Sequence, residues 1–187
     1  MVTVGVLALQ GGVIEHLRLL NSIGVDAKPV KAEKDLVGID GLIIPGGEST
    51  TISKLLTIFE LQSSLTKLIA NGLPTLGTCA GLILLSKEVD GAKGYFQALS
   101  CSVVRNAYGS QLASGEANVR YENGSEEKAA FIRAPKISDY GNTRPIGWVG
   151  DETVAVIEGS VIGASYHPEL TDSTMLHQKL IELIKAH

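Results

Sequence analysis

The first half of the chain switches apolar period again and again. Short β-branched runs, "TVGVLAL", "VDAKPV", "GLIIP" and "LPTLG", alternate with stretches of helical spacing, "VIEHLRLLNSIG", "STTISKLLTIFELQSSLTKLIANG" and "AGLILLSKE". Strands that are apolar on both faces need cover on both faces, and amphipathic helices between them supply it. An α/β fold with a parallel central sheet covered by helices is therefore predicted. In open parallel sheets reactive groups collect at the carboxyl ends of the strands, where loops meet helix N-termini. The loops after Leu9, Pro45 and Gly77 are the ones to inspect.

From about Tyr95 to Tyr166 the pattern becomes strand-like, with "LSCSVV", "EANVRY", "AAFIRAP", "PIGWVG", "TVAVIEG" and "VIGASY" joined by short polar turns. These runs are expected to extend the same sheet in antiparallel or mixed fashion, and "STMLHQKLIELIKAH" to close the fold as a helix packed on it. With 187 residues, 44% of them hydrophobic, the chain suffices for one core, so a single domain over 1–187 is expected. The net charge of -4 and the dispersed basic residues give no stripe that would track phosphates, which argues against nucleic acid as a partner. The opening "MVTVGVLAL" lacks a basic flank and is too short to span a bilayer. It reads as a first buried strand, with no membrane partner and a cytoplasmic location expected. Cys79 and Cys101 are too few for a disulfide framework and lack metal-ligand spacing, so no metal is expected and both should be thiols.

One thiol has a telling position. Gly77-Thr78-Cys79-Ala80-Gly81 fits the G-x-nucleophile-x-G form, whose small residues let the chain turn sharply from strand to helix. The helix N-terminus then faces the sulfur and favours the thiolate. The alternative is a cysteine buried as a small hydrophobe. Far downstream, "SYHPEL" places His167 and Glu169 two residues apart at a strand end. In extended backbone both point to one side, so the carboxylate could orient the imidazole. His16, His177 and His187 lack such company and read as surface or packing residues. The third feature is "GLIIPGGESTTI", a strand that breaks at Gly46-Gly47 and restarts as a helix near Ser49-Thr50. Paired glycines let backbone N–H groups approach a ligand, and without the lysine of a P-loop an oxyanion site fits better than a phosphate cradle.

Together, "PGGEST", "GTCAG" and "HPE" resemble the class I (triad-type) glutamine amidotransferases. Within that group "GVLALQG", "PGGEST", "GTCAGLILLS", "VRNAYG", "FIRAP" and "HPEL" stand in the order of the glutaminase subunits of pyridoxal 5'-phosphate synthase. The resemblance covers essentially the whole chain and implies a single-domain, flavodoxin-like amidotransferase fold. It implies Cys79 as nucleophile, His167 as general base and acid, and Glu169 as the group orienting His167. It places Gly46, Gly47, Glu48, Arg105, Ile132 and Arg133 against L-glutamine and makes Gly47 and Ala80 the oxyanion donors. Without the resemblance, Arg105 and Arg133 would read as ordinary ion-pairing residues at strand ends. Two residues depart from the family pattern: Gly12 stands where an acidic residue or alanine is usual, and Tyr166 where phenylalanine is.

The chemistry so implied is hydrolysis of glutamine to glutamate and ammonia without a cofactor. Since the motifs leave no room for an ammonia acceptor, the partner is expected to be a separate pyridoxal 5'-phosphate synthase subunit, assembled as a synthase ring. The rival readings are a glutaminase serving another synthase, a cysteine hydrolase of the DJ-1/PfpI kind, and a non-catalytic module.

Overall fold

In the computed structural model, which describes residues 2–107 and 114–187, the chain opens as β1 (Thr3–Leu7), α1 (Val13–Ser22), β2 (Asp26–Val30), a 3-10 turn (Glu33–Leu36) and β3 (Gly41–Ile44). It continues with α2 (Ser49–Ile58), α3 (Gln62–Ala70), β4 (Thr75–Thr78), α4 (Ala80–Leu85), β5 (Ser86–Val89), β6 (Ala92–Lys93) and β7 (Leu99–Val104). The second half holds β8 (Ser114–Tyr121), β9 (Glu126–Ile132), β10 (Lys136–Asp139), β11 (Arg144–Val149), β12 (Glu152–Glu158) and β13 (Val161–Ala164). A 3-10 turn at Pro168–Leu170 and α5 (Met175–Ala186) follow.

Nine strands form the main sheet in the order β2-β1-β3-β4-β13-β12-β11-β8-β9. The contacts from β2 to β13 are parallel and the remainder antiparallel. The strand that leads to Cys79 therefore lies beside the strand that leads to His167, with Thr78 level with Ala164. In β3, Leu42 and Ile44 join the core under α2, α3 and α4, while Ile43 joins the core under α1 and α5. That period of two, with all three fully buried, is what a sheet covered on both sides requires. Each such side chain stabilises the fold by roughly 1.5–3 kcal/mol.

Three expectations need correction. The run "LSCSVV" does not extend the main sheet: β7 belongs to a second sheet, β10-β7-β5-β6, packed beside α4. "AGLILLSKE" is helical only to Leu85, because the Ser86 hydroxyl donates to the Leu82 carbonyl at 2.7 Å and the extended backbone at Ser86 starts β5. The long pattern from Ser49 is two helices. Glu60 adopts φ +55, and the Leu61 N–H bonds the Leu56 carbonyl at 2.9 Å, a Schellman-type end that turns the chain so that Leu61 and Leu65 are buried. Of the quoted "VRNAYG", Tyr108 and Gly109 lie outside the described residues.

Candidate active site

Cys79 sits between β4 and α4 with φ +50 and ψ -101, a conformation that costs an L-residue on the order of 1–3 kcal/mol. The neighbours hold it there. The Cys79 N–H bonds the Ala164 carbonyl at 2.8 Å, tying the elbow to β13. A methyl on Gly81 would fall 2.0 Å from the Ile44 carbonyl oxygen, so only glycine lets α4 leave the sheet at this angle. Ala80 is the first residue of α4, and its N–H has no acceptor one turn earlier in the helix. The thiol is almost covered, at 5% exposure, and its Sγ lies 3.9 Å from the Ile132 carbonyl oxygen.

His167 and Glu169 meet, but not by the route expected. His167 pairs with Ala130 in an isolated bridge, and Pro168 then starts the 3-10 turn that carries Glu169. The turn, rather than a pleat, brings Glu169 Oε1 to 2.9 Å from His167 Nδ1. That bond leaves Nε2 for the sulfur. Burial alone pulls the His167 pKa down, but hydrogen bonds to Cys79 and Glu169, and the negative charges there, override it and raise it to about 10. At neutral pH the ring is then an imidazolium.

The Gly46 loop faces this pair. A methyl on Gly46 would lie 2.2 Å from His167 Cε1, so the ring occupies the space a side chain would fill. The loop is tethered on both sides: the Gly46 N–H donates to Thr78 Oγ1 at 3.1 Å, and the Gly46 carbonyl accepts from the Gly12 N–H at 3.1 Å. The Glu48 N–H donates to Gln10 Oε1 at 2.7 Å. The three loops singled out in the sequence thus converge. Glu48, rather than a serine or threonine, precedes α2, and no side chain caps that helix.

A cavity of about 300 Å³ opens over Cys79 and His167 and is walled by Gly47, Glu48, Arg105, Ile132 and Arg133. Both arginines are engaged: Arg105 with Asp90 at 2.8 Å and Arg133 with Glu48 at 3.0 Å, all four side chains partly solvated. A larger hollow of about 510 Å³ lies elsewhere, between Val2, Ile23 and Ile181, with no cysteine, serine or histidine in its wall. Gln10, Ser49 and Asn106 also line the active cavity, and sequence reasoning did not assign them.

Of the two readings left open for His16 and His177, surface or packing, the structure has packing, and it gives them polar neighbours that the sequence did not suggest. Both are fully buried, and His16 Nδ1 lies 2.9 Å from His177 Nε2. His16 Nε2 lies 3.3 Å from Thr78 Oγ1 and 3.4 Å from Glu169 Oε2. The two departures from the family pattern are accommodated. Gly12 lies against the Glu169 carboxylate, where a Cβ would stand 2.9 Å from Oε1. The Tyr166 hydroxyl, fully buried, is paired with that of Tyr121 at 2.9 Å. Cys101 is buried in β7, with its thiol pKa raised by burial.

Residues 6–186 match the model of the SNO glutamine amidotransferase family. The chain is similar to the pyridoxal 5'-phosphate synthase subunit PdxT of Hyperthermus butylicus, at 48% identity over 100% of this chain and 98% of that one. It is 44% identical to the subunit of the same name from Salinispora tropica, over 98% and 96% of the two chains. Among solved structures, a glutamine amidotransferase superposes with a TM-score of 0.91 at 40% identity, covering 97% of this chain and 98% of that one. A glutamine amidotransferase from Thermotoga maritima, at 15% identity and TM-score 0.65 over 100% and 86% of the chains, shares the fold.

Proposed function

The chain belongs to the SNO glutamine amidotransferase family, and from that membership we propose that Cys79, His167 and Glu169 together hydrolyse the side-chain amide of glutamine. As the glutaminase subunit of pyridoxal 5'-phosphate synthase, the protein converts glutamine to glutamate and ammonia for vitamin B6 synthesis. The observation that carries the choice of reacting groups is the coupling of His167 to Cys79 on one side and to Glu169, at 2.9 Å, on the other.

The Cys79 thiolate attacks the amide carbon, and the carbonyl becomes an oxyanion received by backbone N–H groups of Gly47 and Ala80. Such pre-aimed donors contribute on the order of 3 kcal/mol each. The His167 imidazolium gives its proton to the leaving nitrogen, the C–N bond breaks, and ammonia departs. His167, now neutral, takes a proton from water as the hydroxide attacks the thioester; the C–S bond breaks, and glutamate leaves the thiolate–imidazolium pair restored. Glu169 keeps Nδ1 bonded throughout, so Nε2 is always the nitrogen that works. Arg105 and Arg133 stand where a guanidinium can meet the substrate α-carboxylate, and Glu48 where a carboxylate can meet its ammonium; both ion pairs are solvated enough to open at little cost.

The relatives' name as a subunit of pyridoxal 5'-phosphate synthase supports a single glutaminase domain over 1–187 that hands its ammonia to a separate synthase subunit, assembled as a ring, with the pair working in the cytoplasm. No helix among the described residues is long and apolar enough to cross a membrane. The test is glutamate release by the chain mixed with its synthase. Cys79→Ser should abolish release while circular dichroism stays native, and Cys101→Ser should remain active. Turnover by the Cys79 variant would remove the mechanism.

A further inference from the structure

Glu169 is buried with its side chain wholly inaccessible, yet only Oε1 has a hydrogen bond; Oε2 has none among the described residues. A buried carboxylate oxygen without a donor is costly, more so than a neutral acceptor in the same position. The group that faces it is His16 Nε2, at 3.4 Å. Burial, reinforced by the nearby His177 and His167, pushes the His16 pKa well below its usual value, and burial lowers that of His177 to about 4. Each ring is therefore neutral and carries one proton, and the question is which nitrogen holds it.

Two arrangements are open. In one, the Thr78 hydroxyl donates to a bare His16 Nε2, and His16 Nδ1–H donates to His177 Nε2. This puts a lone pair of His16 against a lone pair of the carboxylate and leaves Oε2 unserved. In the other, His177 Nε2–H donates to His16 Nδ1 across 2.9 Å, and His16 Nε2–H turns to Glu169 and Thr78. Its cost is a bare Nδ1 on His177, which has no partner at full hydrogen-bond geometry among the described residues, although the Ser173 carbonyl, the backbone group that favours a proton on this ring, then goes without a donor. An unpaired neutral acceptor costs less than an unpaired carboxylate oxygen, because a hydrogen bond to an ion is worth roughly twice a neutral one.

We propose that His16 is a positioning residue of the active site: its Nε2–H serves Glu169 Oε2, and His177 fixes the tautomer that makes this bond possible. The carboxylate that orients His167 is then held at both oxygens, by His167 in front and by His16 behind. The titratable groups facing Glu169 are His16 from α1 and His167, with His177 of α5 behind the first and Cys79 beyond the second. Contacts of this kind lengthen in an empty site and tighten when charge develops. The inference rests on the assignment of Cys79, His167 and Glu169 above and adds to it the residue that holds the third of them.

The first test needs no variant. Nitrogen-15 NMR of the histidine-labelled chain should show His16 protonated at Nε2; a bare Nε2 overturns the proposal. The second compares His16→Phe, which keeps volume and removes the donor, with His16→Gln, whose amide nitrogen can occupy the Nε2 position. Glutamate release is measured with the synthase present. His16→Phe should lower kcat by about tenfold or more with KM within about twofold, and His16→Gln should recover to within about threefold of the parent. An unchanged kcat in His16→Phe overturns the proposal, as does an equal loss in both variants, because the loss would then follow packing and not the donor. Should His16→Phe fail to fold, the tautomer measurement decides. Cys79→Ser, run alongside, separates this outcome from failure of the mechanism: if it retains turnover the triad assignment itself falls, whatever the His16 variants do.

Discussion

The hydroxyl of Thr78 accepts the Gly46 N–H at 3.1 Å, so the residue just before Cys79 holds the loop that faces it. Thr78→Val keeps the shape of the side chain and leaves that buried N–H without a partner, at a cost of about 1–3 kcal/mol. Urea unfolding should register the loss, and Thr78→Ser should restore most of it. Glutamate release should fall with the loop's alignment in the valine variant and return with serine. A valine variant as stable and as active as the parent would show that the Gly46 loop is held by other means.

His167 and Glu169 should not be equivalent. His167→Asn removes the group placed to move protons at the sulfur and should lower kcat by about three orders of magnitude or more. Glu169→Gln retains a group that can bond Nδ1 and lacks the charge, so its loss should be smaller. Steady-state kcat for the two variants checks the order, and a Glu169 variant slower than the His167 variant would contradict it.

The buried pair His16 and His177 sets the acid flank of stability. Above pH 6.5 both rings are neutral in the folded and unfolded chains and contribute no slope. Below it the unfolded chain binds protons that the folded chain refuses, so stability falls with pH until His177 protonates in place near pH 4. His177 alone should then cost on the order of 3 kcal/mol by pH 4, and His16 acts in the same direction. Urea midpoints at pH 7, 5.5 and 4 measure the slope, and His177→Phe should flatten it if it folds. An equal slope in the variant would place the acid sensitivity elsewhere.

Glutamine hydrolysis should be slower in the free chain than in the synthase complex. The Gly46 carbonyl is tethered to the Gly12 N–H, so the Gly46–Gly47 peptide does not turn freely, contrary to what paired glycines alone suggest, and an agent that rearranges this loop must break that bond. If one oxyanion donor is unavailable until the partner docks, the free rate should be lower by roughly two orders of magnitude, with KM changed much less. Glutamate release with and without saturating synthase tests this, and equal rates would show that the oxyanion site is complete in the free chain.

The sequence was informative where one residue type has few uses. A cysteine between glycines at a strand–helix junction suits a sharp elbow, and a strand apolar at every position needs cover on both faces; the structure has both. It was silent where a partner decides the outcome. "SKEV" continues an apolar helical run, and only pairing with β7 and β6 makes it a strand. Alternating burial marks β7 as a half-covered strand without saying which sheet it joins. His16 falls three and four residues before Leu19 and Leu20, on the buried face of α1, which signals burial. Its contact with His177 lies 161 positions away and left no trace in local pattern. His167 and Glu169 were paired correctly for the wrong reason, since a proline-initiated turn does what an extended segment was expected to do.

The parallel pairing of β4 with β13 has a consequence for how the enzyme comes into being. The strand that leads to Cys79 has no neighbour on that side until Val161–Ala164 has been made, and the Cys79 N–H has no acceptor until Ala164 arrives. A contact so distant along the chain carries a loop-closure cost that is repaid only when both strands exist. During synthesis the elbow therefore waits, its strained φ unsupported, while the intervening strands emerge. The groups proposed to react therefore meet only after residues 80–166 have been made, because the strand that braces Cys79 is followed directly by the segment that carries His167.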